Sequence, residues 1–126
     1  MLRAMAGRPR RILVGYDGSA AAGRALDAAA DLVGYGSTLA VVTVQNGGLR
    51  RTVVAEARGH LRGRHVEARY HEPYGEPAEQ LVEAARELEA DLVVVGRRDR
   101  TPLRELLGSV SRKVVRRAPC DVLVVR

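Results

Sequence analysis

Residues 12–19 read Ile-Leu-Val-Gly-Tyr-Asp-Gly-Ser, and this stretch decides the fold. The apolar run at 12–16 predicts a short buried strand, and Asp-Gly-Ser at 17–19 predicts a turn followed by a helix start. The alanine-rich stretch at 20–33 repeats apolar residues every three or four positions, which predicts a helix with one face on a sheet. A buried strand that leads directly into such a helix is typical of an α/β fold.

Later runs of apolar residues predict the remaining strands. Residues 38–44, 91–96 and 122–125 are nearly continuous apolar runs, as expected of strands that are buried on both faces. Residues 65–71 alternate between apolar and polar side chains, which predicts a half-exposed strand at the edge of the sheet.

Helices are predicted in the intervals between the strands, with Pro77 at the first helical position, which proline tolerates. Their ranges are 50–61, 78–90 and 108–117. Strands that alternate with helices through right-handed crossovers require a parallel sheet with helices on both faces. We therefore expect a single three-layer α/β domain over residues 11–126, preceded by a flexible basic arm at residues 1–10.

Composition narrows the class of protein. The chain has 126 residues, of which 46% are apolar, enough for one hydrophobic core. Its net charge of +6 favours anionic ligands, but the chain lacks Phe and Trp platforms and zinc-finger, helix-turn-helix or basic-zipper spacing. We therefore expect no sequence-specific nucleic-acid binding. Cys120 is the only cysteine and no apolar run approaches about 20 residues, so we expect a cytoplasmic protein without a membrane segment.

Four segments of the sequence resemble the universal stress protein family. They are residues 12–19, Gly75-Glu76-Pro77, residues 90–96 and the block 108–126. The resemblance implies a five-stranded parallel sheet of order 3-2-1-4-5, of the adenine-nucleotide alpha-hydrolase-like type, and a homodimer. It also implies ATP or AMP bound at the carboxyl ends of strands 1 and 4 in many members. The Arg and Ala bias suggests a bacterial source.

The residues of the candidate nucleotide site are assigned partly by physical argument and partly by the family resemblance. Ligands of such sheets bind beyond the carboxyl ends of the strands, where the strand order reverses. Unpaired amides at the start of the last helix, beside the hydroxyls of Ser109 and Ser111, favour an anion, and Arg97 is a candidate phosphate clamp. By resemblance, Asp17 contacts the ribose or adenine and Val44 offers backbone groups to the adenine edge. The candidate residues are Gly15, Tyr16, Asp17, Val44, Gly96, Arg97, Gly108, Ser109, Val110 and Ser111.

The family's ATP-binding pattern is matched imperfectly. The pattern is Gly, two residues, Gly, nine residues, then Gly followed by Ser or Thr. Gly96 and Gly108-Ser109 fit, but Asp99 replaces the second glycine and eight residues follow it. An aspartate adds bulk and a like charge where a glycine lets amides approach a phosphate. Two alternatives stay open: a regulatory module that binds an adenine nucleotide, and a homodimeric stress-response scaffold that has lost nucleotide binding.

No catalytic or metal site is expected. The sequence has no Walker A motif, no Gly-x-Gly-x-x-Gly pattern and no serine elbow, so a weak ATP hydrolase is a third interpretation only. Mg²⁺ or Mn²⁺ is expected only if ATP carries it. His65 and His71 are six residues apart, about 20 Å along a strand, which is too far to share a metal, and we interpret them as solvated.

Two structural questions remain at this stage. Asp17 and Ser19 also fit purely structural roles, in the turn and as the cap of the first helix. The last strand, Val122 to Val125, is expected at the edge of the sheet, and an uncovered apolar edge tends to pair with another chain. We therefore expect homodimerisation through this strand, and a further protein partner of unknown identity.

Overall fold

The computed structural model describes residues 9–47, 52–97 and 109–126. Strands and helices alternate along these ranges. The strands are β1 (Arg11–Gly15), β2 (Thr38–Val42), β3 (Arg69–His71), β4 (Leu92–Gly96) and β5 (Asp121–Val125). The helices are α1 (Ala20–Leu32), α2 (Val53–Gly63), α3 (Pro77–Glu87) and α4 (Ser109–Arg117).

The strands form one parallel sheet of order β3-β2-β1-β4-β5, which confirms the predicted fold. Val14 of the central strand lies in register with Val41 on one side and Val94 on the other. The chain leaves β1 toward β2 on one side and later returns to β4 on the other. The strand order therefore reverses at β1, where doubly wound sheets bind ligands.

Two apolar layers cover the sheet. Ile12 and Val14 pack with α1 and α2 on one face, whereas Leu13 packs with α3 and α4 on the other. Alternate residues of a strand point to opposite faces, so a continuous apolar run fills both layers. Ala25 and Ala29 of α1 are fully buried, and these small side chains let the helix approach the sheet closely.

The third strand is shorter than predicted. Only Arg69–His71 pair with β2, because the chain first turns at the end of α2. His65 has a φ of 58°, and Val66 N–H donates to the carbonyl of Leu61, so both residues belong to the turn. The interpretation of His71 as a solvated histidine is wrong, because its Nε2 is buried without a hydrogen-bond partner among the described residues. His71 is in register with Val42, whose side chain lies in the α3 layer.

Other boundaries differ by a few residues. Helix α3 ends at Glu87, before the predicted residue 90, because Glu89 has a φ of 52° and leaves the helix. Strand β2 ends at Val42, two residues before the predicted end. The predicted start of α2 at residue 50 lies outside the described residues.

Residues 9 and 10, which precede β1, are hydrogen-bonded to the rest of the domain. Asp91 accepts hydrogen bonds from the amides of Arg10 and Arg11, and Ser37 Oγ donates to the carbonyl of Pro9. Residues 1–8 of the predicted arm lie outside the described residues. In the described ranges, no helix combines the length and the apolar character needed to cross a membrane.

Candidate functional site

A cavity of about 460 Å³ lies at the carboxyl ends of β2, β1 and β4, with the first turns of α1, α3 and α4 around it. It occupies the position where the strand order reverses. The cavity brings together most of the predicted site residues. These are Gly15, Tyr16, Asp17, Val44, Gly96, Ser109, Val110 and Ser111.

Arg97 is not among the described residues that line the cavity. Arg97 uses its backbone amide to bond the carbonyl of Val125 at 2.7 Å, which continues the pairing of β4 with β5. Gly108 lies outside the described residues, as does Asp99. The phosphate clamp assigned to Arg97 therefore remains a prediction.

Several lining residues were missed at the sequence level. They are Ser19, Ala21, Ala22, Val42, Asn46, Pro77, Leu81 and Val95. Asn46 follows the carboxyl end of β2, and ligands of such sheets bind beyond the carboxyl ends of the strands. This rule could have predicted Asn46 as a site residue. No such signal existed for Leu81, because its place in the wall depends on how α3 crosses the sheet.

Val44 turns its backbone polar groups toward the cavity. Thr43 N–H donates to the carbonyl of His71 at 2.9 Å, and Gln45 N–H donates to that of Pro73 at 2.7 Å. Both neighbours of Val44 therefore bond on the β3 side. Successive residues of an extended chain direct their N–H and C=O groups to opposite sides, so those of Val44 face the β1 side. There β1 has already ended at Gly15.

This orientation leaves a donor and an acceptor on the cavity wall. Val44 is 9% exposed, and within the described ranges its N–H and C=O make no hydrogen bond. Buried backbone groups are nearly always paired in folded proteins. The unbonded N–H and C=O of Val44 are therefore a good binding position for a ligand that offers one acceptor and one donor.

Asp17 and Ser19 both have structural roles in the turn that follows β1. Asp17 Oδ1 accepts a hydrogen bond from Ser19 N–H at 3.0 Å, and Ser19 Oγ accepts one from Ala22 N–H at 3.1 Å. Ser19 is thus the N-cap of α1. Both residues also line the cavity, and among the described residues the second oxygen of Asp17 and the hydroxyl proton of Ser19 make no hydrogen bond, so a ligand can bind them.

The start of α4 contributes amides to the cavity. Ser109 and Val110 occupy its first turn, where backbone N–H groups have no partner inside the helix. Ser111 is 4% exposed, and its hydroxyl donates to the carbonyl of Gly96 at 3.1 Å. The proton of Ser111 is therefore used within the protein, and this side chain fixes α4 against the end of β4.

An ion pair joins the first turn of α3 to α4 beside the cavity. Glu76 caps α3 by accepting a hydrogen bond from Glu79 N–H at 2.7 Å, and Lys113 Nζ lies 3.7 Å from its Oε1. The bond from the Glu79 amide lowers the pKa of Glu76, and Lys113 adds to this effect. Pro77 and Leu81 on the cavity wall are held by the helix that this cap begins.

No metal cluster is found in the described parts of the chain, where no three His, Cys, Asp or Glu residues lie close enough to hold an ion. Burial raises the pKa of the Cys120 thiol, and nearby Asp121 and Asp91 act in the same direction. A raised pKa disfavours the thiolate, so Cys120 behaves as a small apolar residue and not as a reactive thiol.

Comparison with known proteins connects this site to a family. The profile of the universal stress protein family matches residues 45–126. A universal stress protein of Mycobacterium tuberculosis is 33% identical over 141 aligned positions, which cover 92% of this chain and 95% of that protein. Several matches are shorter: the stress response protein NhaX of Bacillus subtilis is 37% identical over 75 residues, and these span only 45% of its length.

Solved structures are similar over nearly the whole chain. One is a universal stress protein crystallised in complex with cAMP, with 31% identity, a TM-score of 0.82, and coverage of 95% of this chain and 98% of that one. Another is the universal stress protein from Archaeoglobus fulgidus in complex with dAMP, with 26% identity and a TM-score of 0.75. That match covers 93% of this chain and 98% of the other.

Proposed function

Because this chain belongs to the universal stress protein family, we propose that it binds an adenine nucleotide, ATP or AMP, as a non-catalytic regulatory ligand. The ligand occupies the cavity at the carboxyl ends of β1, β2 and β4. The proposal is supported by the structural relatives that hold cAMP and dAMP. A cytoplasmic location is part of the same proposal, since the lone Cys120 suits a reducing compartment.

The backbone of Val44 carries this proposal. Adenine presents the N1 acceptor beside the N6 amino donor, which matches one N–H and one C=O on the cavity wall. Guanine presents an N1–H donor beside the O6 acceptor, so the order of its groups is reversed. Because the N–H and C=O of Val44 are fixed by the bonds of Thr43 and Gln45 on either side, they favour adenine over guanine.

The phosphates are placed at the opposite end of the cavity. Strands β2 and β4 are separated by β1, so they lie about 10 Å apart. A nucleotide with its base at Val44 therefore reaches the first turn of α4 with its phosphate. There the amides of Ser109 and Val110 and the positive end of the helix favour an anion. Mg²⁺ or Mn²⁺ enters only with ATP.

Isothermal titration with ATP, AMP and cyclic AMP tests the proposal. We expect heat of binding with at least one of them, and no heat at millimolar concentration contradicts nucleotide binding. Val44→Pro removes the N–H donor and weakens binding about tenfold or more, because a bonded partner is lost. Val44→Ala is the matched control: it shortens the side chain but keeps both backbone groups, so it costs less affinity than Val44→Pro.

A second candidate is a homodimeric scaffold without a nucleotide, and the exposed edge of the sheet favours it. Leu123 in β5 is 37% exposed and Val115 in α4 is 45% exposed. Among the described strands, β5 pairs only with β4, so its other edge is open to a second copy. Asp99→Gly separates the two candidates, because a gain in ATP affinity indicates a site degraded by the aspartate.

A weak ATP hydrolase is the least supported function. Efficient hydrolysis needs a positioned base or metal, and among the described lining residues the one carboxylate, Asp17, already accepts a hydrogen bond from the Ser19 amide. Release of phosphate by the purified protein, abolished by Ser109→Ala, is the observation that this function requires.

A further inference from the structure

Asn46 lies at the rim of the cavity, at the end where the base is placed. It is exposed, and it lines the cavity beside Val42 and Val44. Side chains two residues apart along an extended chain point to the same face, so Asn46 continues the row of Val42 and Val44. Those two pack in the α3 layer, and α3 contributes Pro77 and Leu81 to the same wall.

The wall at this end is otherwise apolar. Among the described lining residues from β2, the loop after it and α3, Asn46 alone has a polar side chain; the others are Val42, Val44, Pro77 and Leu81. An apolar wall holds the faces of any base equally well. A side-chain amide distinguishes bases, because it presents a donor and an acceptor at fixed spacing.

Asn46 also stands at a suitable distance from Val44. Two residues of extended chain cover about 6.6 Å, which is comparable to the hydrogen-bonding edge of a purine. When the Val44 backbone bonds N1 and one N6 hydrogen of adenine, the other N6 hydrogen and N7 are not yet bonded. These two groups lie next to each other on the neighbouring edge of the base. An asparagine amide bonds those two atoms in a bidentate manner, with Oδ1 accepting from N6 and Nδ2 donating to N7.

We propose that Asn46 adds to the base specificity of the site by binding the N6 and N7 atoms of adenine, next to the contact that Val44 makes with N1. This inference rests on the proposed nucleotide site. The chain turns directly after Asn46, at Gly47, whose φ is 89°. A contact of Asn46 within the protein is compatible with this inference, since an amide has two lone pairs and two donor hydrogens.

A cycle of variants and ligand analogues tests the inference. ATP and 7-deaza-ATP, which lacks N7, are titrated into the unsubstituted protein and into Asn46→Ala and Asn46→Asp. Asparagine and aspartate both suit this turn, but aspartate has no N–H donor for N7. Gln45→Ala is the matched control, because the neighbouring amide does not line the cavity and donates to Glu72 at 3.1 Å.

The expected pattern is specific to a contact with N7. The unsubstituted protein binds 7-deaza-ATP about tenfold more weakly than ATP, within the range of about 5- to 150-fold that a bidentate contact supplies. In both Asn46 variants the affinity for ATP falls to the affinity that the unsubstituted protein has for 7-deaza-ATP. The difference between the two ligands disappears, because the contact between Asn46 and N7 is already lost. Gln45→Ala keeps the difference.

The outcomes separate this inference from the proposed function. If the unsubstituted protein binds neither ATP nor 7-deaza-ATP, nucleotide binding itself is wrong. If it binds both ligands equally, or if the Asn46 variants keep the difference between them, the assignment of Asn46 is overturned while nucleotide binding stands. A variant whose circular dichroism shows unfolding is replaced in the cycle by the other Asn46 variant.

Discussion

Gly96, the last residue of β4, lies directly against the backbone of Ala21 in the first turn of α1. A β-carbon on Gly96 would stand 2.3 Å from the carbonyl oxygen of Ala21. The close approach brings α1 onto the end of β4, and both residues line the cavity. This gives Gly96 a steric function that is independent of its place in any nucleotide-binding pattern.

Gly96→Ala is expected to destabilise the protein strongly. The new methyl group meets backbone, which cannot rotate away, so α1 or β4 has to shift at a cost of about 2–3 kcal/mol in the free energy of unfolding. Urea denaturation measures this change. Gly23→Ala is the matched control in α1: its β-carbon meets nothing within 4 Å, and alanine should stabilise the helix by about 0.5–1 kcal/mol. Equal stability of Gly96→Ala and the unsubstituted protein contradicts the prediction.

Ser19→Ala is expected to remove the cap of α1. The Ser19 hydroxyl oxygen accepts the Ala22 amide, and loss of such a cap costs about 1 kcal/mol in the free energy of unfolding. Thr52→Ala is the comparison, because Thr52 occupies the same position before α2 without a side-chain cap bond. Its hydroxyl instead donates to Glu56 at the surface. Thermal unfolding should show a lower Tm for Ser19→Ala only, and equal shifts for both variants would be inconsistent with a capping role.

Asp27 makes part of the stability depend on pH. It accepts hydrogen bonds from His60 Nε2 at 2.6 Å and from Arg64 at 2.8 Å, joining α1 to α2. The bond with His60 lowers the pKa of Asp27 most, and Arg64 adds to it. A carboxyl whose pKa is lower in the folded state stabilises the protein above its unfolded pKa, and this contribution is lost as pH falls through the folded pKa.

Asp27→Asn is therefore expected to lower the free energy of unfolding at pH 7 and to lower it less at pH 3, because the contribution of the carboxylate is lost as pH falls through its folded pKa. The loss at pH 7 should stay below about 1 kcal/mol, since Asp27 is 45% exposed and solvent screens the pair. Urea denaturation at both pH values measures it, with the exposed Glu87→Gln as control. A larger loss at pH 3 than at pH 7 would reverse the sign and refute the assignment.

Leu123→Glu is expected to abolish the proposed dimer. Leu123 is part of the open edge strand and is already 37% exposed, so a charge there should be tolerated by the monomer fold. Buried against a second copy, two glutamates near a symmetry axis would repel each other. Sedimentation velocity should show a dimer for the unsubstituted protein and a monomer for the variant. Tyr35→Glu, at a fully exposed position before β2, should leave the assembly unchanged.

Prediction from sequence succeeded where the signal was local. Five strands and four helices follow from apolar periodicity, and their observed ranges agree within a few residues except at β3. The exception at β3 arises because the left-handed turn at His65 depends on how α2 ends. The prediction used only the alternation of side chains that follows this turn. His71 was misjudged because its burial depends on the neighbouring strand and the α3 layer.

The sequence by itself determined the alternation of strands and helices and, through the parallel connections these require, the edge of the sheet where the cavity forms. Only the tertiary structure decided which groups face that site: the backbone of Val44, the side chain of Asn46, and the wall formed by Leu81. Periodicity depends on near neighbours along the chain, whereas the direction of a backbone N–H depends on hydrogen bonds to strands that are distant in sequence. The contact of Gly96 with Ala21 has the same origin, because residues 75 positions apart meet only after the sheet has formed.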